Sequence, residues 1–593
     1  MNMTFVPFAE RLAAVRKAMA AQDLGGFIVP RSDEHLGEYV PESAERLCWL
    51  TGFSGSAGVA VVLADRAAVF SDGRYTIQLG METDPELFEQ HHILKTPPPL
   101  WLATHAENAR VGYDPKLFSE QALAAYVDAG VALVPVEENP LDAAWGTRPA
   151  TPLNPVFPHP IEFAGETSGN KRRAIGDKLR EEKQDLAVIT DTASVAWLLN
   201  LRGDDIAHNP GVLGFALVDA EARVDLFIEP GKVTAETRSW LGNEVSVNPM
   251  ASLDAALSGL SGRRVRVDPV NTPAWFAQRL RAAGAEVVAG ADPCFVPKAC
   301  KNAIEQEGAR RAHRRDAVAM AKFLHFMAEA GPAGTETEMS AAEKLVTFRA
   351  EAPEFRGESF RAISSAGPNA ALNHYKVSPK TNRAINPDEL YLLDSGGQYP
   401  DGTTDVTRTL WTGRQQPPAR LRDQYTRVLK GLISLDTLVF PEGTAGVHID
   451  AFARRALWEA GLDFDHGTGH GVGSFLGVHE GPASISKPLR PDPLGVGMLM
   501  SNEPGYYVAG EYGIRLENLM FVLEADLPGA RTRFLRFESI TLVPFERRLI
   551  ETEMLTASER EWIDRYHREV ERTVAPELEE AVRAWLEENC APL

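Results

Sequence analysis

The sequence predicts two α/β domains followed by an α+β unit. Three observations lead there. A helix–strand–Trp-Leu–hairpin pattern occurs twice before residue 300. Proline-rich seams stand near 155 and 295. After the second seam, long helices alternate with pairs of strands.

The first pattern runs from a helix at Arg11–Ala21 into the apolar strand Gly26–Pro30, then Trp49-Leu50 and the hairpin Val59–Leu63/Ala67–Ser71. The second runs from a helix at Lys171–Glu182 into Leu186–Thr190, then Trp197-Leu198 and the hairpin Gly214–Val218/Val224–Ile228. The same order twice suggests a duplicated architecture. SDGRYT at Ser71–Thr76 reads as a hairpin turn. The seam TRPATPLNPVFPHP cannot lie inside one helix or a central strand, because its prolines lack the backbone donor. A helix from 302 to 330 is expected to end at Gly331-Pro332, with another opening after Gly334-Thr335. Further helices are expected near 417–440 and over His448–Ala460. In the tail, Thr556 and Glu559 form a capping-box pattern ahead of Trp562, Ile563, Tyr566 and Val570 at helical spacing. That helix reads as packing on a domain or a second subunit. The expected division is 1–155, 156–300, 301–545 and a helical extension 546–593.

The chain has 593 residues, 44% hydrophobic and 24% charged, enough to build several cores. Its net charge of −21 would repel a phosphate backbone, so nucleic acid is not an expected partner. Four scattered cysteines, Cys48, Cys294, Cys300 and Cys590, form no CxxC pair, which speaks against a thiolate zinc site and fits a reducing compartment. Charges interrupt MNMTFVPFAERLAAVRKAMA before a leader core could form, and no apolar run is long enough to span a bilayer. A cytoplasmic protein with no membrane partner is expected.

The chemistry gathers in the last third. HGTGHGVGSFLGVHE brings His466, His470 and His479 onto a glycine-rich stretch. Gly467, Gly469, Gly471 and Gly473 argue against a helix, so His466 and His470 are not an HExxH pair. One histidine on such a turn would read as solvated; three favour a site. The strand Glu389–Leu393 delivers Asp394 at its end, and the next strand is expected to carry Thr404, Asp405 and Val406. Adjacent carboxylates need a proton or a cation between them. Thr403, Thr404 and Thr407 are placed to orient them. Glu503 stands before a Pro-Gly turn in MLMSNEPGYY. Glu517 stands in GIRLENLMFV, read as one strand with Arg515, Glu517 and Leu519 on one face. An acid there is costly to bury unless coordinated or paired. Four carboxylates and one imidazole, without cysteine, suit two divalent ions such as manganese, cobalt or zinc. Such a pair supports amide hydrolysis.

LLDSGGQYPDGTTDVTRT, HGTGHGVGSFLGVHEGP, NEPGYY and GIRLENL together resemble the pita-bread metallopeptidases, most closely the aminopeptidase P family in its long three-domain form. The resemblance is dense over about 360–545 and weaker before 300. It implies creatinase-like α/β N-terminal domains and a pita-bread α+β catalytic domain. It also implies a dinuclear centre in which Asp394 binds one ion, Asp405 and Glu517 bridge, and His470 and Glu503 bind the second. A bridging hydroxide would attack the peptide, with Glu503 accepting the proton. His374, His466 and His479 would bind substrate and steady the tetrahedral intermediate, and Tyr507 and Arg515 would support Asp394. The family's usual ion is manganese, with zinc or cobalt possible. The implied substrates are peptides with proline second, and the implied assembly is a homodimer whose front domains narrow the entrance. A prolidase limited to X-Pro dipeptides and a non-catalytic pita-bread binding module are the alternatives. The full set of five ligand positions argues against the module and against a metal-free creatinase-type hydrolase.

Overall fold

The computed structural model describes residues 6–593; residues 1–5, the start of the segment read for a leader, lie outside the described residues. Two units divide the chain. One comprises the residues through Pro160 with Glu166–Phe295, the other Ile161–Gly165 with Val296–Leu593.

The first unit holds two six-stranded sheets. One runs Glu89–His92, Ala67–Ser71, Val59–Leu63, Gly26–Pro30, Val111–Tyr113, Leu133–Pro135. The other runs Val245–Asn248, Val224–Phe227, Phe215–Asp219, Leu186–Ile189, Arg264–Val267, Glu286–Ala289. Neighbours in both follow one sequence of directions: parallel, antiparallel, antiparallel, parallel, parallel. The repeated pattern in the sequence is thus a repeated topology. Gly26–Pro30 shows no alternation because both its faces are covered. Phe27 and Val29 join one core cluster and Ile28 the other. Ser71–Thr76 is not a hairpin turn. Its strand pairs in parallel with Glu89–His92, and a parallel neighbour requires a crossover, supplied by the helix Thr76–Glu82. The seam 147–160 carries only a two-residue strand, Phe157–Pro158, paired with Leu201–Arg202.

The second unit is built on antiparallel sheets. A six-stranded sheet runs Val439–Pro441, Phe534–Ser539, Asn518–Ala525, Leu499–Asn502, Gly469–Gly471, Glu480–Ile485. A three-stranded sheet runs Ile363–Ala366, Leu390–Ser395, Val406–Trp411. A ribbon pairs Gly505–Val508 with Tyr512–Arg515. The helix Ala303–Ala333 begins at an Asn302–Glu305 capping box and ends at Gly334 in the left-handed region (φ 63°). It passes through Pro332 rather than stopping before it, because proline's fixed φ is helical and only one bond of the last turn is lost. Helices Ala419–Asp436 and Ala557–Val574 bury Tyr425, Leu429, Leu432, Trp562, Ile563 and Tyr566 in one core. Thr556 and Glu559 cap the latter helix reciprocally. No helix among the described residues is long and apolar enough to cross a membrane.

Candidate metal centre

Asp394 lies inside the strand Leu390–Ser395, opposite Thr407. The turn that follows doubles back tightly: a Cβ on Gly396 would stand 1.9 Å from the carbonyl oxygen of Thr404. Only glycine permits that approach. Asp405 is therefore returned beside Asp394, just before the strand Val406–Trp411 rather than within it. Thr403 and Thr404 bond to Gln398, Leu476 and Gly397 and hold the turn, not the acids. Thr407 alone of the three reaches a carboxylate, donating to Glu517 Oε2 at 2.8 Å.

Glu503 and Glu517 occupy matching interruptions. The strands Leu499–Asn502 and Asn518–Ala525 pair up to Asn502↔Asn518, and the ribbon resumes at Gly505↔Arg515. Glu503-Pro504 and Leu516-Glu517 lie between. The expected single strand through Glu517 is thus two strands belonging to two sheets. The two arms keep one register across the gap, Asn502↔Asn518 on one side and Gly505↔Arg515 on the other, while the backbone of Glu517 turns to Thr407. Glu503 N–H donates to Thr468 O at 2.8 Å, and Glu517 N–H to Thr407 O at 3.1 Å.

His470 sits in the strand Gly469–Gly471 at a register shift. Such a bulge re-aims a side chain. Its Nδ1 lies 3.0 Å from Gly471 O, which can only accept. The proton is therefore on Nδ1, and the Nε2 lone pair faces Asp405 Oδ2 at 3.7 Å and Glu503 Oε1 at 3.6 Å. One ligand atom each of Asp405, His470 and Glu517 falls within 4.8 Å of the others. Metal–ligand bonds of about 2 Å place ligand atoms roughly 3–4 Å apart, so this spacing fits a cation.

The electrostatics fit as well. Asp394 Oδ1, Asp405 Oδ1 and Glu517 Oε1 are buried and receive no hydrogen bond. Burial, then the charges of Glu517, Asp394 and Glu503, push the Asp405 carboxyl well above its ordinary range. Burial, then Asp394 and Glu503, do the same to Glu517. Among the described residues, Arg515 is the guanidinium in direct contact, donating to Asp394 Oδ2 at 2.6 Å. Burial works against its charge, but Tyr507, Asp394 and Glu503 together hold its pKa far above normal. One guanidinium against four carboxylates leaves a deficit that divalent ions would fill.

Around this cluster, Arg515 also donates to Tyr507 OH at 2.7 Å, and Tyr507 OH lies 2.8 Å from His466 Nε2. His466 Nδ1 is 2.7 Å from Gly467 O, so it carries the proton and Tyr507 donates to Nε2. Burial raises the Tyr507 hydroxyl to about 12, which keeps it protonated for that role. His479 stands edge-on to His470, ring centroids 4.3 Å apart. His374 is half-buried in the turn after the 3-10 helix Gly367–Ala371. That helix lies against the ribbon so closely that a Cβ on Gly513 would meet Ala370 O at 1.8 Å. Ser501, absent from the sequence reading, accepts from His470 N–H at 3.0 Å and donates to Glu503 Oε1 at 3.4 Å. A serine two residues before an acid carries no signal that would have singled it out.

A model of metallopeptidase family M24 matches residues 307–524, and that of its C-terminal region matches 533–593. Two models of the Creatinase/Prolidase N-terminal domain match 11–142 and 147–305. The chain is 38% identical to "Probable Xaa-Pro aminopeptidase P" of Coprinopsis cinerea, over 99% of each chain. It is 37% identical to "Xaa-Pro aminopeptidase 2" of Sus scrofa, over 100% of this chain and 90% of that one. The crystal structure of X-prolyl aminopeptidase from Caenorhabditis elegans, described as a cytosolic enzyme with a di-nuclear active site, superposes with a TM-score of 0.93 at 32% identity, covering 99% and 100% of the two chains.

Proposed function

The chain belongs to metallopeptidase family M24, among its Xaa-Pro aminopeptidases, and on that premise we propose that it releases the N-terminal residue of peptides with proline second by means of two divalent ions. The observation that carries the reading is the set of three buried, undonated oxygens of Asp394, Asp405 and Glu517 beside the His470 Nε2 lone pair. In this reading Asp394, Asp405, His470, Glu503 and Glu517 would hold the two ions. Ions bound there would acidify a water and polarise the scissile carbonyl.

The chain's own groups do the rest. Glu503, with 18% of its side chain exposed, is the acid positioned to take a proton from solvent and return it to the departing nitrogen. That nitrogen is proline's and has no hydrogen of its own, so it needs one to leave as an amine. His466, held by Tyr507, and His479, against His470, present imidazoles to the substrate; His374 joins them from its turn. Arg515 fixes Asp394 and Tyr507 together.

We take manganese as the working ion, with zinc and cobalt compatible with the same donors. We assign the protein to the cytoplasm, in keeping with four scattered cysteines that form no CxxC pair, and to a homodimer. The segments 1–155 and 156–300 are assigned to two creatinase-like domains, 301–545 to catalysis and 546–593 to a helical extension.

The test compares X-Pro, X-Pro-Y and X-Ala-Y peptides on chelator-stripped protein with and without manganese. Manganese-dependent cleavage of X-Pro-Y, with X-Ala-Y slow, supports the proposal. Preference for the X-Pro dipeptide would make it a prolidase. Full activity in excess chelator would end the metal reading, and two bound ions without any cleavage would mark a binding module.

A further inference from the structure

Arg408 is fully buried on the strand Val406–Trp411, yet its hydrogen bonds all go to neutral oxygens. Nη1 donates to Thr407 O at 2.8 Å and Glu517 O at 2.7 Å. Nη2 donates to Asn518 Oδ1 at 2.8 Å, Val543 O at 2.6 Å and Tyr566 OH at 3.0 Å, and Nε to Pro544 O at 3.1 Å. The guanidinium lies 4.4 Å from the Phe545 ring centre. Burying a cation is costly, and these oxygens must be held in place to offset it.

The contact with Glu517 matters most. That residue stands where the chain changes sheets, so its carbonyl lies outside either ladder, and a buried carbonyl needs a donor. Arg408 supplies the donor, while the neighbouring Thr407 supplies both the backbone acceptor and the side-chain donor for the same glutamate. On its other side Arg408 is held from the C-terminal region. Tyr566, on the helix Ala557–Val574, accepts from Arg408 and donates to Val543 O at 2.8 Å. Its ring stacks on Trp562 at 5.2 Å and against Phe545 at 5.1 Å. His567 Nε2 accepts from Phe545 N–H at 3.2 Å.

We propose that Arg408 and Tyr566 are positioning residues for Glu517, and that the C-terminal helix through them forms part of the frame of the metal centre. The inference rests on Glu517 being a cation ligand. It assigns the extension a part in metal retention, beyond capping a core.

The test is calorimetric titration of manganese into chelator-stripped full-length protein, with fold checked by near-ultraviolet circular dichroism. Arg408→Lys is expected to weaken at least one of two binding steps by about tenfold or more. Tyr566→Phe, which removes one hydroxyl from a folded core, is expected to weaken it about threefold. Thr556→Ala removes the cap of the same helix without touching Arg408 and is expected to lower melting temperature while leaving affinity unchanged. Wild-type affinity in both Arg408→Lys and Tyr566→Phe would overturn the inference, as would equal weakening in Thr556→Ala. A wild type that takes up no manganese would overturn the ligand reading itself, and this inference with it.

Discussion

Asp316, on the helix Ala303–Ala333, and Asp405, just before the strand Val406–Trp411, are both nearly inaccessible, at 3% and 4% exposure. Asp316 receives Arg349 Nε at 2.7 Å and Nη2 at 3.0 Å, and Tyr399 OH at 3.0 Å. Arg349 also donates to Ser395 Oγ and Gly396 O, each at 3.2 Å, and so braces the turn after Asp394. Asp405 has acids for neighbours and one oxygen without a donor. The same fold thus treats two buried acids in opposite ways. One is neutralised by its own cation. The other is left to one that must come from outside. The difference separates a structural acid from a ligand more sharply than burial does.

The largest effect should come from cancelling the unsettled side. Asp405→Asn is expected to cut peptide hydrolysis by roughly 10³-fold or more, since a bound ion contributes several kcal/mol. Manganese content by mass spectrometry should fall with it. The same change removes repulsion, so the metal-free variant should melt about 2–4 °C above the metal-free wild type. A lower melting point would mean that Asp405 is settled after all. Next, Asp316→Asn strands the Arg349 charge and is expected to cost about 3–5 kcal/mol in denaturant unfolding. A neutral outcome would erase the contrast.

The pH dependence sharpens it further. Raised carboxyl pKa values mean that the folded, metal-free protein binds protons more tightly than the unfolded chain at Asp405 and Glu517. Their contribution is fully present below the unfolded carboxyl pKa of about 4 and is lost as pH rises through the raised folded values. The melting difference between metal-free wild type and Asp405→Asn should therefore widen as pH rises from 5 toward 8. A constant gap would contradict this. With manganese the sign reverses, because protons compete with the ion, and activity should fall below about pH 6. The smallest expected effect is that of Tyr507→Phe. Losing the link between Arg515 and His466 should lower kcat about tenfold with manganese content unchanged. Loss of the ion as well would make Tyr507 part of the metal frame.

Much of this was legible in the residues. The two hairpins before 300 were readable because short apolar runs stood between turn signals, and Ala67–Ser71 was placed to the residue. The acids and histidines of the last third were legible as types that need one another. The interruption at Leu516-Glu517 was not, because apolar alternation continues across it and the two arms keep one register on either side. Nothing in VTRTLW singles out Arg408. Only the convergence of Glu517, Val543, Pro544 and Tyr566, all remote in sequence, reveals it as buried. Arg349 was hidden in the same way.

The facing breaks at Glu503-Pro504 and Leu516-Glu517 also constrain how this stretch can change in length. One added or deleted residue in either arm of the ribbon would flip every later side chain to the opposite face and carry a glutamate with it. The tip around Gly510, which turns in the left-handed region at φ 76°, has no such consequence. Insertions and deletions among homologues should therefore collect at Ala509–Glu511 and spare the two arms, whatever else in the ribbon drifts.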